Sequence, residues 1–534
     1  MNREYSKLVI EKLLSWGVSE FYICAGARDI PLIETVCNIK NEKKIVFNHF
    51  EERSAAFYAL GRIKSIKKPV AVITTSGTAV GEMLPAVMEA YYSGLPLVLI
   101  TADRPKSYRG TGAPQAAEQN NIFGVYVSKC FDLDITDDFE LSDIPFNKPV
   151  HINICFDVPL QKGNLEEIDF NIFKNKFLMN NFQKHVHSTE KSKFESFIRE
   201  NDNMLVIVSN LDLNNNENIL KFITNLNRPV YIESTSNIRE CEELNHLKIK
   251  CADKIWSNSQ KSEYNINAVL KIGGTPTHRI WRDLDESKKN INVLSLSENV
   301  FPGMPGADNI STDINYFLSE IEIPKNTTQL NLIEKFLELD RICYSKLIEL
   351  FYLYPKSEQS LFYHLSNLIN NNSRVFLGNS LPIRNWDLAA TYEYKNLHMQ
   401  ASRGLNGIDG QISSFIGFCE ENVNENWGFF GDLTTLYDLS GFWMLHHRPE
   451  LKINFIIINN GGGKIFNNVL KGEIAIVCQN LHNLDFQSIA KFWNIKYEKV
   501  RELDDLLKFT ESRIIELIPD IEETKIFATE LSKI

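Results

Sequence analysis

The sequence predicts an α/β protein with three doubly wound domains, each built around a mostly parallel β-sheet. From residue 1 to about residue 180, short apolar segments alternate with helical ones, as expected where helices connect parallel strands. Two of these segments, Val70–Ile73 and Leu97–Ile100, are almost continuously apolar, which indicates strands covered on both faces. The same alternation returns in the last third of the chain, and 534 residues is enough for about three or four domains.

Composition excludes several classes of function. The net charge of -11 and the pI near 5.6 leave no overall positive field for nucleic acid or an anionic membrane, so an anionic substrate would need locally clustered arginines. The nine cysteines are scattered and contain no C-x-x-C pair, which is typical of reduced thiols in a cytosol. The charged N-terminus lacks the apolar segment of a signal peptide, and no segment reaches the roughly 18 apolar residues of a membrane span. We therefore expect a cytoplasmic protein without a membrane span.

The first predicted domain covers residues 1–182 and contains two chemically distinctive segments. Glu52, in FEERSAAF, falls in the first turn of a helix that continues with small and apolar residues. Ser76, Gly77 and Thr78 form a strand-to-helix turn whose backbone N–H groups could meet a ligand. Taken alone, each segment has a commoner explanation, since a carboxylate such as Glu52 often stabilises the helix dipole and a Ser-Gly-Thr turn often caps a helix. The predicted elements are helices at Tyr5–Trp16 and from Glu51 and Thr78, and strands at Phe21–Cys24, Ile45–Asn48, Val70–Thr75 and Leu97–Ala102.

Residues 183–192 are predicted to be a linker, and residues 193–330 a central α/β domain. The segment GGTPTHRIWR is a glycine turn that opens a helix with Arg279 in its first turns, but it lacks G-x-G-x-x-G and predicts no dinucleotide site. The run around Asp212 imitates a calcium loop without the required glycine and terminal Glu. The predicted strands are Met204–Ser209, Val230–Ser234, Val269–Ile272 and Val293–Leu296.

The third predicted domain, residues 351–534, contains the most informative stretch of the chain. One apolar run breaks at Gly431-Asp432, and a second, Ile453–Ile458, stops just before Asn460 and three glycines. Two neighbouring parallel strands would end there side by side, where ligands bind in open α/β sheets. Carboxylate, amide and main-chain oxygens suit a hard cation such as Mg2+, and the glycines allow close approach of the backbone.

Asp432 and Asn460 are separated by one helix and one strand, which is the spacing of the diphosphate and Mg2+ motif of thiamine-diphosphate (ThDP) enzymes. The alternative is an ordinary α/β turn with a helix-capping Asp and a glycine loop. In ThDP chemistry Glu52 has a specific role, because a carboxylate bonded to the aminopyrimidine ring promotes the imino tautomer that deprotonates the thiazolium C2 carbon. The apolar setting after Glu52 would strengthen that hydrogen bond.

A set of motifs occurs in order along nearly the whole chain: FEERSAAF, TTSGTA, LITADRP, GAPQAAEQ, GNSLPIR, SRGLNGIDG, GDLTTLYDL and NNGGGKIF. Together they resemble the 2-succinyl-5-enolpyruvyl-6-hydroxy-3-cyclohexene-1-carboxylate synthase family, ThDP enzymes of menaquinone biosynthesis. The resemblance implies a pyrimidine-binding domain at 1–182, a central domain at 193–330 and a diphosphate- and Mg-binding domain at 351–534. It also implies a homodimer or homotetramer with active sites at the subunit interface, where Glu52 of one protomer and the metal ligands of another serve one cofactor.

The reaction implied by the resemblance decarboxylates 2-oxoglutarate on ThDP, with Mg2+ or Mn2+, and adds the succinic semialdehyde carbanion in 1,4 fashion to isochorismate. Both substrates carry two carboxylates, so arginines that bind carboxylates bidentately are expected. The implied catalytic residues are Glu52, Ser380, Arg384 and Arg403, and the implied substrate-binding residues are Arg28, Arg104, Gln115, Arg279, Ile465 and Phe466. The implied cofactor-binding residues are Glu52, Ser76, Gly77, Thr78, Ile408 and Asp432, and the implied metal ligands are Asp432, Asn460 and Gly462.

Two departures from the family pattern, Ala27 in place of Ser and Lys464 in place of Gln, are interpreted as tolerated variation. The nearest alternative function is another ThDP-dependent 2-oxo acid carboligase or decarboxylase, although a simple decarboxylase would have less use for so many arginines. A non-catalytic α/β protein that binds a nucleotide or partner is the alternative from another class. Glu52 argues against it, because binding alone does not need the proton-relay carboxylate.

Overall fold

The structure is a computed structural model that describes residues 1–174, 187–212, 216–252, 256, 266–286, 291–322, 331–468, 470, 472–500 and 511–534. These residues form three six-stranded sheets and one two-stranded sheet, and every strand pair in them is parallel. Helices connect the strands, which confirms the predicted α/β class. Among the described residues, no helix is both long and apolar enough to cross a membrane.

By compactness the chain separates into two units. The first unit consists of Met1–Phe182, Gly404–Glu421 and Thr434–Leu451, and the second of Gln183–Arg403, Asn422–Leu433 and Lys452–Ile534. The first sheet lies in the first unit, and the second unit contains the other two six-stranded sheets. The division into three domains stays a prediction.

The strands follow one another along the chain in short, mostly apolar segments. They are β1 (Glu20–Cys24), β2 (Ile39–Lys40), β3 (Val46–Asn48), β4 (Val70–Thr74), β5 (Leu97–Asp103), β6 (Cys130–Asp134), β7 (Val150–Cys155), β8 (Ile168–Asp169), β9 (Met204–Val208), β10 (Val230–Ile232), β11 (Lys248–Ile249), β12 (Ala268–Ile272), β13 (Asn292–Ser297), β14 (Asp308–Ser311), β15 (Arg374–Leu377), β16 (His398–Gln400), β17 (Asn426–Gly431), β18 (Ile453–Ile458), β19 (Lys496–Val500) and β20 (Arg513–Leu517). The strand orders are β3-β1-β4-β5-β7-β6, then β11-β10-β9-β12-β13-β14, then β16-β15-β17-β18-β20-β19.

The helices fill the connections between these strands. They are α1 (Asn2–Trp16), α2 (Ile30–Cys37), α3 (Glu52–Ile66), α4 (Thr78–Glu82), α5 (Leu84–Ser93), α6 (Asn171–Lys174), α7 (Ser188–Glu200), α8 (Glu217–Leu226), α9 (Arg279–Glu286), α10 (Ile314–Ser319), α11 (Asn331–Leu353), α12 (Glu358–Leu368), α13 (Leu381–Ala389), α14 (Gln411–Phe418), α15 (Asp432–Tyr437), α16 (Glu473–Gln479), α17 (Gln487–Phe492) and α18 (Ile521–Lys533).

The core of the first unit explains why its central strands are continuously apolar. Every residue of β4 and β5 is buried. Leu13 and Leu32 belong to the same apolar cluster as Ile73 and Ile100 of these strands, and all four are fully buried. Burying a side chain of this size contributes roughly 1.5–3 kcal/mol, so this sheet holds the loops at its edge firmly in place.

The structure differs from the sequence prediction in two respects. Several strands that the apolar pattern did not predict are present, namely β2, β6, β7, β8, β11, β14, β16, β19 and β20. The predicted linker at 183–192 is partly wrong, because α7 already begins at Ser188. Residues 183–186 of that linker and 213–215 of the calcium-like run lie outside the described residues.

Candidate active site

The two strands that precede Asp432 and Asn460 are neighbours in the third sheet. β17 pairs with β18 in parallel, and Gly431 lies opposite Ile458 at the carboxyl ends of the two strands. Asp432 follows β17 directly, and Asn460 comes two residues after β18. The spacing in the sequence therefore predicted this adjacency correctly.

The Asp432 carboxylate is buried and holds the loop that follows β18. Its Oδ2 accepts hydrogen bonds from the backbone N–H groups of Gly461 at 2.9 Å and Gly462 at 2.8 Å, and its Oδ1 accepts one from Leu433 at 2.7 Å. Burial raises the pKa of Asp432, and the bonds from Gly462 and Leu433 offset this only in part. Nε2 of His482 lies 3.3 Å from Oδ2. His482 was not among the predicted site residues, and no local sequence signal marks it.

Asn460 is held by its nitrogen, which leaves its oxygen available. Its Nδ2 donates to Oε2 of Glu358 at 2.9 Å, and Nδ2 of Asn385 donates to Oε1 of the same carboxylate at 2.7 Å. Oδ1 of Asn460 is buried and has no hydrogen-bond partner among the described residues. Burial raises the pKa of Glu358 to about 7. Glu358 was missed by the sequence analysis because it resembles any acidic residue in the first turn of a helix.

These oxygens test whether the site fits a metal ion. A buried amide oxygen without a partner among the described residues, near a carboxylate that follows the neighbouring strand, is a set of oxygen donors that suits a hard cation. Asp432 and Asn460 therefore fit an oxygen-coordinated divalent ion.

The loop after β18 depends on glycine. Gly462 has a φ of 129°, and a Cβ placed on it would lie 2.5 Å from the carbonyl oxygen of Gln479, so a larger residue would displace the loop. Lys464–Asn468 then form one short 3-10 helix. In it Ile465 is half-buried and Phe466 is exposed, so both can offer apolar surface to a ligand.

Ser380, Arg384 and Arg403 meet at the start of α13. Ser380 is the N-terminal cap of this helix and adopts a φ of 73°, which is unusual for a residue other than glycine. The Arg384 guanidinium donates to the Ser380 carbonyl oxygen. Arg403 donates through Nη1 to Oδ1 of Asn379 at 2.9 Å. Asn385, which bonds to the same carboxylate as Asn460, also lies on α13. This one helix therefore carries both Arg384 and a residue from the surroundings of Asn460.

Arg279 begins α9, and its side chain lies outside the described part of the structure. The loop before it is anchored by Glu233, whose Oε1 accepts from the N–H groups of Thr277 at 2.7 Å and His278 at 2.9 Å. Burial raises the pKa of Glu233 to about 7. Its other oxygen, Oε2, is buried and has no partner among the described residues.

In the first unit, Glu52 is the first residue of α3 and differs sharply from its neighbour Glu51. Glu51 caps the helix, accepting from the N–H groups of Arg53 at 3.1 Å and Ser54 at 3.0 Å, and it also accepts from the Ser440 hydroxyl. Glu52 is half-buried, and no hydrogen bond joins its carboxylate to another described side chain. Burial, and to a smaller extent the charge of Glu51, raises the pKa of Glu52.

The turn after β4 presents one residue to solvent. Ser76 and Gly77 are buried, and Thr78 is exposed. Gly77 caps α4 with a φ of 90° and a ψ of -136°, a conformation that only glycine adopts readily. In the predicted cofactor-binding turn, Ser76 and Gly77 therefore lie in the interior and Thr78 is accessible to a ligand.

Arg28 and Arg104 follow β1 and β5 at the same edge of the first sheet. Arg28 donates to the carbonyl of Phe156 at 3.0 Å, and Arg104 donates through Nε to that of Pro114 at 2.9 Å. Burial, and then the charge of Arg104, lowers the pKa of Arg28, so the two cations are near enough to repel each other. Gln115, in the loop after Arg104, is exposed.

Ile408 lies in the loop before α14 and is half-buried. The start of this loop is fixed by Glu89 of α5, whose carboxylate accepts from the N–H groups of Gly404 at 2.9 Å and Leu405 at 2.8 Å. Ile408 therefore lies in a loop whose beginning is anchored by hydrogen bonds within the first unit.

The predicted residues fall into two groups, each at the carboxyl ends of four adjacent parallel strands. In the first unit Arg28, Glu52, Ser76 and Arg104 follow β1, β3, β4 and β5, and in the second Ser380, Arg403, Asp432 and Asn460 follow β15, β16, β17 and β18.

Known proteins resemble this chain both in its N-terminal part and over nearly its whole length. Residues 3–122 match the model of the thiamine pyrophosphate enzyme N-terminal TPP binding domain. The chain is 39% identical to the 2-succinyl-5-enolpyruvyl-6-hydroxy-3-cyclohexene-1-carboxylate synthase of Bdellovibrio bacteriovorus, over 98% of each chain. It is 32% identical to that of Akkermansia muciniphila, over 98% of this chain and 97% of the relative, and 27% identical to that of Lysinibacillus sphaericus, over 97% and 95%. With this identity along its whole length, the chain belongs to the 2-succinyl-5-enolpyruvyl-6-hydroxy-3-cyclohexene-1-carboxylate synthase family.

Proposed function

We propose that this protein is a ThDP-dependent synthase that decarboxylates 2-oxoglutarate and adds the remaining four-carbon unit to isochorismate, within menaquinone biosynthesis. The observation that carries the proposal is the state of Asn460, whose buried oxygen has no described partner while its nitrogen is held by Glu358. Such an oxygen beside Asp432 is what a cofactor-bearing metal ion requires. Family membership supplies the reaction class.

Asp432, Asn460 and the backbone of Gly462 would hold Mg2+ or Mn2+, and through it a diphosphate. Their oxygen donors suit these hard cations, which usually share their ligands with substrate phosphates. Ser76, Gly77, Thr78 and Ile408 would contact the remainder of the cofactor. Bound ThDP would supply the thiazolium carbon that stabilises the negative charge left when CO2 departs.

Glu52 would hold and return a proton at its carboxylate. Its raised pKa and its freedom from other described side chains leave it able to bond to a ring nitrogen. Glu51 cannot substitute for it, because its oxygens already accept from backbone N–H groups.

The arginines would bind the carboxylates of the two substrates. Arg28 and Arg104 lie close together in the first unit, and Arg384 and Arg403 meet near Ser380 in the second. Arg279 would add to the second set, Gln115 to the first, and Ile465 and Phe466 would cover the apolar part of the substrate. Guanidinium groups suit this task, because each can bind a carboxylate through two hydrogen bonds.

We also propose a cytoplasmic homodimer or homotetramer in which Glu52 of one protomer and the partner's Asp432 serve one cofactor. Large apolar side chains are exposed on the second unit, including Ile474 at 66%, Val477 at 76% and Phe492 at 78%, as expected of surfaces that a second copy covers. The nine cysteines are free thiols, in keeping with a reducing compartment.

The test supplies 2-oxoglutarate and isochorismate with ThDP and Mg2+, and follows the loss of isochorismate by absorbance. Consumption that requires all four components supports the proposal. Pyruvate in place of 2-oxoglutarate tests the alternative, another ThDP carboligase or decarboxylase. Faster turnover of pyruvate, or isochorismate consumption without ThDP, would overturn the proposed function.

A further inference from the structure

Gln119 is a fully buried amide in the first unit that none of the proposed catalytic steps uses. Its Oε1 accepts the backbone N–H of Gly77 at 2.8 Å. Its Nε2 donates to the carbonyl of Ala102 at 3.2 Å and to Oδ1 of Asn153 at 2.8 Å. Both ends of the side chain are therefore committed, one to the turn after β4 and the other to β5 and β7.

The loop that contains Gln119 lies directly over that turn. Gln115, four residues earlier, adopts a φ of 55°, and its Cα lies 3.3 Å from the position that a Cβ on Gly77 would take. The main chain at Gln115, a predicted substrate-binding residue, thus lies close to the main chain at Gly77 in the predicted cofactor-binding turn. Gln119 supplies the hydrogen bond that joins the two at this contact.

The amide network continues from Asn153 toward Arg104. Asn153 Oδ1 also accepts from the Thr101 hydroxyl at 2.8 Å. Its Nδ2 donates to Asp103 at 3.1 Å and to Asp132 at 2.9 Å. The other oxygen of Asp103 accepts the backbone N–H of Arg104 at 2.7 Å. One chain of bonds therefore runs from Gly77 to the backbone of a predicted substrate arginine.

The acidic end of this network is a structural ion pair. Asp103, Asp132 and Cys155 are close enough together to share a metal ion. The Arg109 guanidinium already lies among them, donating to Asp132 at 2.6 and 2.7 Å and to Asp103 at 3.1 Å. The network therefore ends in a fixed cation that also ties down the loop beyond Arg104.

We propose that Gln119 is a positioning residue that locks the turn Ser76-Gly77-Thr78 and the loop bearing Arg104 and Gln115 into one rigid edge. Gln119 accepts a hydrogen bond from the N–H of Gly77, which directs this part of the backbone inward and leaves Thr78 exposed to a ligand. This inference rests on the proposed function, which assigns ThDP to the turn and a substrate to the loop. Loss of Gln119 would loosen cofactor and substrate binding together, because a buried amide and carbonyl would lose their partners.

The main experiment compares Gln119→Met with Gln161→Met, the same exchange at an exposed position of the first unit. ThDP binding to the apoprotein with Mg2+ is measured by calorimetry, and KM and kcat for isochorismate by absorbance. Gln119→Met is expected to weaken ThDP binding and raise KM by about tenfold or more, with a smaller change in kcat. Gln161→Met is expected to stay within about twofold of wild type. Unchanged Kd and KM in Gln119→Met would overturn the proposal.

Two further variants separate positioning from a general loss of stability. Val9→Ala removes buried volume from α1 in the same core, and at a matched fall in Tm it is expected to keep wild-type ThDP affinity. Equal loss of affinity in Val9→Ala and Gln119→Met would show that Gln119 is merely structural, which would overturn the proposal.

Gln119→Glu gives a readout that stability alone would not move. The introduced carboxyl can mimic the amide only when protonated, accepting from Gly77 and donating to Asn153. ThDP affinity relative to wild type should therefore recover as the pH falls from about 8 to about 6, since burial raises the pKa of a carboxyl. A flat ratio would overturn the proposal. Failure of wild type itself to bind ThDP would instead refute the proposed function.

Discussion

The carboxyl edges of the first and third sheets carry equivalent sets of residues, but the buried amide side chains at the two edges differ in their hydrogen bonding. In the first unit, the amides of Gln119 and Asn153 find protein partners at both their oxygen and their nitrogen. At the edge of the third sheet, Asn460 Oδ1 is buried without a partner among the described residues. Buried polar groups are normally paired, so Gln119 and Asn153 hold the backbone around them, whereas the oxygen of Asn460 is left available to a ligand.

Glu52 gives the largest test of this contrast, because its carboxylate lies at the edge of the first sheet and bonds to no other described side chain. Glu52→Gln is expected to bind ThDP almost normally while turnover falls by about 10²–10⁴-fold, the usual contribution of a positioned acid-base group. Calorimetric ThDP titration and steady-state kinetics measure the two effects. The matched variant Glu51→Gln is expected to lose about 1 kcal/mol of stability with turnover retained, since Glu51 is a helix cap. Normal turnover in Glu52→Gln would remove Glu52 from the mechanism.

Arg403 tests the edge of the third sheet, because its replacement removes a cation there. Arg403→Ala should raise KM for at least one substrate by roughly 10–100-fold, the equivalent of one charge-assisted hydrogen bond, without unfolding the protein. Arg341→Ala, at an exposed site on α11, is the matched control and should leave KM unchanged. Steady-state kinetics with circular dichroism would decide, and wild-type KM in Arg403→Ala would contradict the proposed substrate role.

Glu358 sharpens the comparison because it determines which end of Asn460 is available. In Glu358→Gln the new amide can donate to Asn460 and occupy its oxygen, so Mn2+ affinity in the presence of ThDP should fall by roughly 10–100-fold. Calorimetric Mn2+ titration measures this. Glu522→Gln, on the exposed face of α18, serves as the control. Equal Mn2+ affinity in both variants would mean that Glu358 does not orient Asn460.

Lys271 gives the smallest expected effect and concerns stability alone. It is fully buried, with a 3.4 Å contact from Nζ to the Pro302 carbonyl, and burial lowers its pKa to about 7. A folded pKa below the unfolded one means that stability is lost as pH falls toward 7 and regained as pH rises. Wild type should therefore gain about 2 kcal/mol of stability more than Lys271→Met between about pH 7 and pH 9.

Urea unfolding at the two pH values measures this difference, with Lys346→Met as the exposed control. If wild type and Lys271→Met gain the same free energy of unfolding between the two pH values, the pKa of Lys271 is not lowered by burial. Lys271→Met should also be the more stable protein at pH 7, because it removes the cost of burying the amine.

Local patterns made much of the fold predictable, and their limits are visible in particular strands. β4 and β18 are mostly apolar and fully buried, and the sequence pattern predicted both. β7 was missed because His151 and Asn153 interrupt its apolar pattern. These buried polar residues are tolerated because other side chains, including Thr101 and Gln119, form hydrogen bonds with them. Such pairing depends on distant parts of the chain, so no local pattern reveals it.

The candidate site shows the same division. Asp432 and Asn460 were predictable because a helix and a strand fix their spacing. Glu358 lies 102 residues before Asn460 in the chain and contacts it only after the sheet has formed. His482 reaches Asp432 in the same way. The residues that we propose to bind ligands lie in recognisable motifs, whereas the residues that contact and orient them are identified only from the folded structure.

The backbone of Ser380 has a consequence for how the helix α13 begins. At a φ of 73° this position would be easier for glycine, and holding another residue there costs on the order of 1–3 kcal/mol. Ser380→Gly would relax the main chain and delete the hydroxyl in a single step. The strained backbone of Ser380 places a hydroxyl-bearing side chain at the N-terminus of the helix that also carries Arg384. Glycine at this position would relieve the strain but would leave no side chain there.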